Sequence, residues 1–556
     1  MIEGPFQDKE ISTDVLVIGG GIAGFFAAIK AREQGLSVTL IDKGFAGKSG
    51  QTPFPARSAV FNPEWGDDFD FWMGQFSASG EYINNREWTE ILIKESYERY
   101  QELVSWGFEF DKGPDGKVLR KGSEAPVRDI LTGRDGDILR KGFHGGELKT
   151  LSFPKRTVGP FLRNEADKRG VRIIDRVTAT ELIKQDGAVA GAVGIHPYSN
   201  RFFVIRAKAT VLAAGSGGFR VTGFPVWELT NDAEAMAYRA GAGVSGKEFV
   251  SEQTTDLEHP AYGPFLRPGK TVRLKIVNAE GVQLKDIVGP SMTWAFEAYA
   301  GRGPVSLVTA EGTFPRVSAV SGMSYHKGSG VWPINTKCAT DVPGLYAAGD
   351  CCCNYQSGAR YAATAGASTV GSWVTGARSG MGAAEYALGV AEATPDKREV
   401  KRLKNLTLYP AERKGGFSPG WVTHVLKSIM MPYFVQYIKH NDRMQAALTQ
   451  VEFIRDQIVP KLTAQDLHEL RLANETKNMV LNAEMNLRAG IFRTESRGFH
   501  YREDYPLRDD PTWLAWVVLK EEQGKMKTIK VPVPEEWWPD LTREYEDRYP
   551  VRFPGE

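Results

Sequence analysis

The chain has 556 residues, 42% of them hydrophobic and 25% charged, which describes a folded protein of several packed units. Its 69 basic and 68 acidic residues leave a net charge of +1, which argues against a nucleic-acid binder working through a basic surface. Its four cysteines are Cys338 and the run Cys351, Cys352, Cys353; without C-x-x-C spacing, neither zinc nor a resident iron–sulfur cluster is expected, and no metal site. Such sparse usage suits a reducing cytosol, so a cytoplasmic location is expected. The start, MIEGPFQDKEISTD, lacks the cationic and apolar regions of a secretion signal. The longest apolar stretch, 15–29, is broken by glycines, so no direct membrane insertion is expected.

In chain order, residues 13–41 read as strand, tight turn, helix and strand. An amphipathic helix is predicted from about Trp88 to Trp106, and residues 111–150, dense in Gly, Asp and Lys, read as a surface excursion. A second block runs from a helix near Thr157–Arg169 through short β segments to ATVLAAGSGGF, residues 209–219. Residues 246–334 have weak periodicity and many Gly and Pro, and read as an inserted cap. The first pattern resumes at PGLYAAGD, residues 343–350, and from about residue 396 the chain turns helical, with Thr463 and Asp466 as candidate caps.

Gly19, Gly21 and Gly24 fit G-x-G-x-x-G directly after an apolar strand and before a helix. That spacing permits a tight turn, close approach of a pyrophosphate to backbone, and tight helix–strand packing. Asp42 ends the next strand, where a carboxylate can accept hydrogen bonds from ribose hydroxyls. ATVLAAGSGGF and PGLYAAGD both end apolar strands in small residues, the second closing on Asp350, suited to a ribityl hydroxyl. These repeats favour FAD over a nicotinamide cofactor. The small-residue helix in ARYAATAGASTVGSW would aim its positive end at the flavin N1–C2 edge. Lys43, Ser49, Gly50, Val177, Ala214, Gly215, Asp232, Gly349 and Ala365 complete the expected cofactor lining. The expected fold class is α/β: a Rossmann-type FAD-binding domain (a mixed sheet with helices) in two parts, 1–245 and 335–395, interrupted by a capping domain, 246–334. A helical carboxyl-terminal domain with an extended tail, 396–556, follows.

The segments IGGGIAG, TNDAEAMAYRAGA, PGLYAAGD and RTESRGFHYREDYPLRDDPTW resemble the succinate dehydrogenase/fumarate reductase flavoprotein superfamily. The last third, from HNDRMQAAL through LTAQDLHELRLANE, is more similar to the adenylylsulfate reductase alpha subunit. The resemblance implies hydride or electron-pair chemistry at flavin N5 and a ferredoxin-like iron–sulfur partner subunit. Departures matter as well. Gly50 stands where flavinylated members carry their histidine, so no covalent link is expected. After Glu248 and Phe249 come Val250, Ser251, Glu252 and Gln253 rather than a histidine-proline-threonine clamp, and Lys285–Pro290 lacks the family's proton-donating arginine. Fumarate is a poor fit, and adenylylsulfate is not assigned.

Within that resemblance His326 and Arg360 are the catalytic candidates, the first for proton exchange and the second for gripping an anionic small-molecule substrate. Both also have structural readings, and Arg497 and His500 read as structural. Trp537 and Trp538 form either a docking strip or a wrap over the chain's own surface. The expected function is an FAD-dependent reductase or dehydrogenase subunit feeding an iron–sulfur partner. An oxygen-using oxidase of the L-aspartate oxidase type and a non-catalytic electron relay stay open.

Overall fold

The structure is a computed structural model that describes residues 4–55, 57–121, 150–152, 154, 156–220, 228–251, 275–284, 296–297, 300–303, 305–309, 312–315, 323–324, 329–360, 366–392, 394–549 and 552–556. The opening unit is β1 (Gln7–Ile18), α1 (Ile22–Glu33) and β2 (Val38–Asp42). Val15–Ile18 are buried as an unbroken run, as a central parallel strand requires. Helix α1 buries Phe25 and Phe26 and carries Lys30 and Arg32 in its last turn, where cations complement the dipole. The predicted long helix, α2 (Arg86–Ser105), starts two residues early because the Asn85 side chain accepts from Trp88 N at 3.1 Å.

Helix α3 (Val158–Lys168) leads into β3 (Arg172–Asp175), β4 (Thr178–Gln185), β5 (Ala188–Ile195) and β6 (Arg201–Leu212). Together with β7 (Leu345–Ala347) they form a seven-stranded mixed sheet ordered β3-β2-β1-β6-β5-β4, with β7 beside the far end of β6. β1 runs parallel to β6 from Gln7↔Arg201 to Ile18↔Leu212, so the glycine turn after β1 and the small residues after β6 emerge together. β7 joins parallel to β6 at Leu345↔Thr210 and brings Gly349 to the same edge.

Helix α4 (Asp232–Ala240) covers one face of the sheet, and α5 (Ala367–Gly389) packs along α1 on the other. Close packing explains the small residues of α5: a Cβ on Gly376 would lie 2.5 Å from Ala23 O, and one on Gly380 2.3 Å from Ala27 O. Within the inserted segment the described strands Lys275–Val277, Ser306–Thr309 and Gly312–Pro315 form an antiparallel sheet.

The helical stretch holds α6 (Lys397–Glu412), α7 (Pro419–Met430), α8 (Asn441–Phe453) and α9 (Leu467–Phe492). Val422, Leu426, Val451, Met479 and Leu487 form the shared core of the last three, while Leu403 and Leu408 of α6 pack with Ile183 and Phe202 of the sheet. Asp466 caps α9 by accepting from Glu469 N at 2.8 Å, and Glu469 returns by accepting from Gln465 N at 2.7 Å. Thr463 takes no part and donates to Arg413 O at 3.2 Å.

The tail differs from the sequence expectation. β8 (Ala515–Glu522) and β9 (Lys525–Pro532) form a hairpin around Gln523 and Gly524, which take φ of 52° and 79° as a tight hairpin turn demands. β8 also pairs with Val244–Ser245, making the tail part of a four-stranded sheet. Trp537 and Trp538 are half-buried on this surface: the Trp537 and Trp516 rings lie 6.4 Å apart, and Trp538 Nε1 donates to Val533 O at 3.0 Å. They wrap their own chain instead of standing free as a docking strip. Among the described residues no helix is long and apolar enough to cross a membrane.

Candidate FAD cleft

A cleft of about 430 Å³ opens where the ends of β1, β6 and β7 converge, within the range of small-molecule sites. Among the described residues its walls come from Ile18–Ala23, Ile41–Lys43, Ser49–Thr52 with Arg57, Val177–Ala179, Ala213–Gly215, Glu228–Met236, Gly349 with Asp350, and Gly366–Ser372. Gly19 forms the first bend at φ +111°, where a Cβ would lie 2.3 Å from Ala213 O. Gly24 does not line the cleft. Its missing side chain lets α1 pass the bend, since a Cβ there would sit 1.9 Å from Gly19 O. Gly21 is the N-cap of α1, which has no acidic residue in its first turn, so the positive helix end faces the cleft uncompensated.

Asp42 accepts from Gly20 N at 2.8 Å and Gly44 N at 2.7 Å, clamping both loops. Burial pushes its pKa up, against the pull of these two backbone donors. Each oxygen keeps a lone pair for a ribose hydroxyl. Lys43 and Asp232 also line the wall and bind each other at 2.9 Å, with Thr230 and Glu475 completing the ammonium's partners at 2.7 and 3.3 Å. Lys43 is therefore a tie between the sheet edge and α9. Ser49 accepts from Phe45 N at 2.6 Å, and Gly50, at φ +66°, donates its N–H to Glu228 at 2.6 Å. Val177, Ala214, Gly215 and Gly349 are cleft wall. Asp350 accepts from Ser368 Oγ at 2.8 Å at the amino end of α5. Ala365 lies outside the described residues.

The sequence reading missed Thr52, Arg57, Thr178, Glu228 and Ser368. Thr52 Oγ1 accepts from Ile22 N at 3.1 Å, which shapes the first turn of α1. The Thr178 hydroxyl is buried and has no partner among the described residues, as expected of a group reserved for a ligand. Nothing local marks these residues: Glu228 meets Gly50 across 178 positions. The bends, the bare helix end and the orphaned hydroxyl together fit a dinucleotide.

The catalytic candidates do not converge on this wall. His326 lies outside the described residues, as do Glu252, Gln253 and Lys285–Pro290. Arg360 lies off the lining and donates to Glu81 at 2.6 Å. Arg497 is fully buried against Glu495, Asp510 and the Tyr549 hydroxyl, which gives it a structural role. His500 is also fully buried: Nε2 donates to Arg493 O at 3.1 Å and Nδ1 accepts from Lys439 Nζ at 2.9 Å. Burial and the charges of Lys439, Arg502 and Arg493 push its pKa well down, so it stays neutral. Among the described residues no group of His, Cys, Asp and Glu could hold a metal ion.

Burial pulls Lys439 from 10.5 down to about 7. Between those values the folded state binds one proton fewer than the unfolded chain, so stability rises with pH across that window and is lowest below it. Lys439→Met is expected to flatten this rise, seen as a smaller gap between urea midpoints at about pH 6 and pH 9.

A mixed sheet with this cleft at its carboxyl edge defines an FAD-dependent oxidoreductase. Residues 14–284 match the FAD binding domain family, and residues 424–545 match the fumarate reductase flavoprotein C-terminal family. The chain therefore carries an FAD binding domain and a fumarate reductase flavoprotein C-terminal domain, and FAD is its cofactor. It is 27% identical to an uncharacterized FAD-dependent oxidoreductase of Methanocaldococcus jannaschii, over 92% of this chain and 96% of that one. It is 26% identical to a subunit of the fumarate reductase (CoM/CoB) of Methanothermobacter marburgensis, over 92% and 97%. Among solved structures, adenylylsulfate reductase of Archaeoglobus fulgidus shares the fold at TM-score 0.75 and 20% identity, covering 95% of this chain and 97% of that one.

Proposed function

We propose that the chain is the FAD-carrying subunit of a reductase or dehydrogenase, exchanging a hydride or electron pair between a small anionic substrate and an iron–sulfur partner subunit. The observation that carries this reading is the convergence of three glycine-bearing turns, at Gly19, Gly215 and Gly349, on one cleft. A relative of nearly equal length that is named as one subunit of a fumarate reductase supports the subunit role.

Bound FAD would supply the two-electron chemistry. The α1 amino end and Gly21 backbone would hold the pyrophosphate, Asp42 the ribose, and Asp350 the ribityl chain. Gly50 offers no nucleophile, so the cofactor is held by these contacts alone. His326 is the proposed carrier of the substrate's proton. Arg360 grips a substrate carboxylate in this reading only by exchanging Glu81, which it meets through one nitrogen, for the carboxylate of the substrate.

The test is native purification followed by acid precipitation. Yellow protein that co-purifies with an iron–sulfur polypeptide and releases its flavin into the acid supernatant is the expected result. A chain that stays colourless with excess FAD would sink the proposal. Peroxide formed as the reduced protein meets air, with no partner present, would redirect it to an oxidase.

A further inference from the structure

Among the described residues two cations line the cleft, Lys43 and Arg57, and their situations are opposite. Lys43 is consumed by Asp232 and Glu475. Arg57 is half-buried and has no carboxylate partner among the described residues; burial lowers its pKa, with no neighbouring charge to offset the effect. A desolvated guanidinium without a counter-charge is costly unless a ligand supplies one.

Its place says which part of the ligand that is. Arg57 forms a two-residue strand with Ser58, which pairs with Leu151 and is fully buried, so Arg57 takes the cleft side. Its backbone abuts the start of α5: a Cβ on Gly366 would lie 2.7 Å from Arg57 C and O, and Ala59 N donates to Gly366 O at 3.3 Å. Gly366 caps α5, whose first turn carries no acidic residue and no side-chain cap. Arg57 and the first turn of α5 thus share one part of the cleft wall. The formal charge at the first turn of α5 is negative: Asp350, bonded to Ser368.

We propose that Arg57 is the electrostatic partner of the flavin ring and sets its reduction potential. The inference rests on the FAD reading above. A hydride from a reduced organic substrate brings two electrons and one proton, oxidises that substrate, and leaves the ring with one negative charge. Beside Asp350 that charge is disfavoured. Arg57 and the amino end of α5 together offset it, favouring the reduced cofactor over the oxidised one.

The test compares full-length wild type, Arg57→Gln and Arg57→Lys, each reconstituted with FAD, by flavin titration and by dye-equilibrated potentiometry without substrate. Arg57→Gln is expected to favour the oxidised form at least tenfold, a drop of about 30 mV for a two-electron couple. Its FAD Kd should change less than about threefold, and Arg57→Lys should recover most of the potential. An unchanged potential in a yellow Arg57→Gln protein overturns the inference, and so does a rise in substrate KM alone, which would make Arg57 a substrate clamp. Loss of FAD from both variants also overturns it, by making Arg57 a cofactor anchor. A wild type that binds no FAD fails the functional reading instead, so the two failures are separable.

Discussion

Gly24→Ala is expected to lose FAD while keeping its secondary structure. The added Cβ would meet Gly19 O at 1.9 Å and Gly19 C at 3.1 Å, and both obstacles are backbone with no rotamer to escape into. Overpacking of this kind costs about 1–3 kcal/mol. Relief comes most easily by pushing the Gly19 bend into the cleft, where the pyrophosphate would lie. If about 3 kcal/mol is taken from binding, FAD affinity falls on the order of a hundredfold. Flavin fluorescence titration reads that loss, and far-ultraviolet circular dichroism checks the fold. Gly74→Ala is the control, because a Cβ there meets nothing within 4 Å and the residue sits inside a helix. Equal FAD affinity in wild type and Gly24→Ala would remove the reason for placing the dinucleotide at this turn.

Glu81→Gln is expected to be the most destabilising single polar substitution outside the cleft. Glu81 accepts from Arg508 through two nitrogens at 3.0 Å, from Arg360 at 2.6 Å, and from Gly498 N at 3.0 Å. Burial pushes its carboxyl up, but Arg508 and Arg360 outweigh this and hold it well below the usual range. Glutamine keeps the shape and removes the charge, leaving Arg508 buried beside Arg360 with less compensation. Breaking such a group typically costs about 3–5 kcal/mol. The carboxylate's contribution is complete above its unfolded pKa and fades as pH falls towards its folded value. Urea midpoints of wild type and Glu81→Gln should therefore differ most near neutrality and draw together in acid. Parallel curves at every pH would show that the charge contributes nothing.

The cofactor half of this architecture was legible because its signals are local. Gly19, Gly21, Gly24 and Asp42 fall within one β-α-β unit, where strand burial, turn and helix start are each written in neighbouring residues. The segments ending at Gly215 and Gly349 repeat that logic, and the sheet brings all three together. The helical stretch was legible from period, and Asp466 from its cap spacing. The hairpin β8–β9 was missed although its residues alternate around a Gln-Gly turn, because the stretch after the helices reads only as an extended, charged and aromatic tail. Arg360 and Glu81 could not be paired from sequence, since 279 positions separate them. Arg57 carries no motif at all. Its meaning comes from the partners it lacks, and only three dimensions reveal that.

The sheet also dictates a timetable for biosynthesis. β1 leaves the ribosome more than three hundred residues ahead of β7, yet the cleft it borders closes only when β7 docks on β6. At ordinary translation speeds of about 5–20 residues per second, the nascent amino-terminal half waits tens of seconds without a complete nucleotide grip. Cofactor loading consequently waits for the emergence of β7 and cannot be completed on the amino-terminal strands alone.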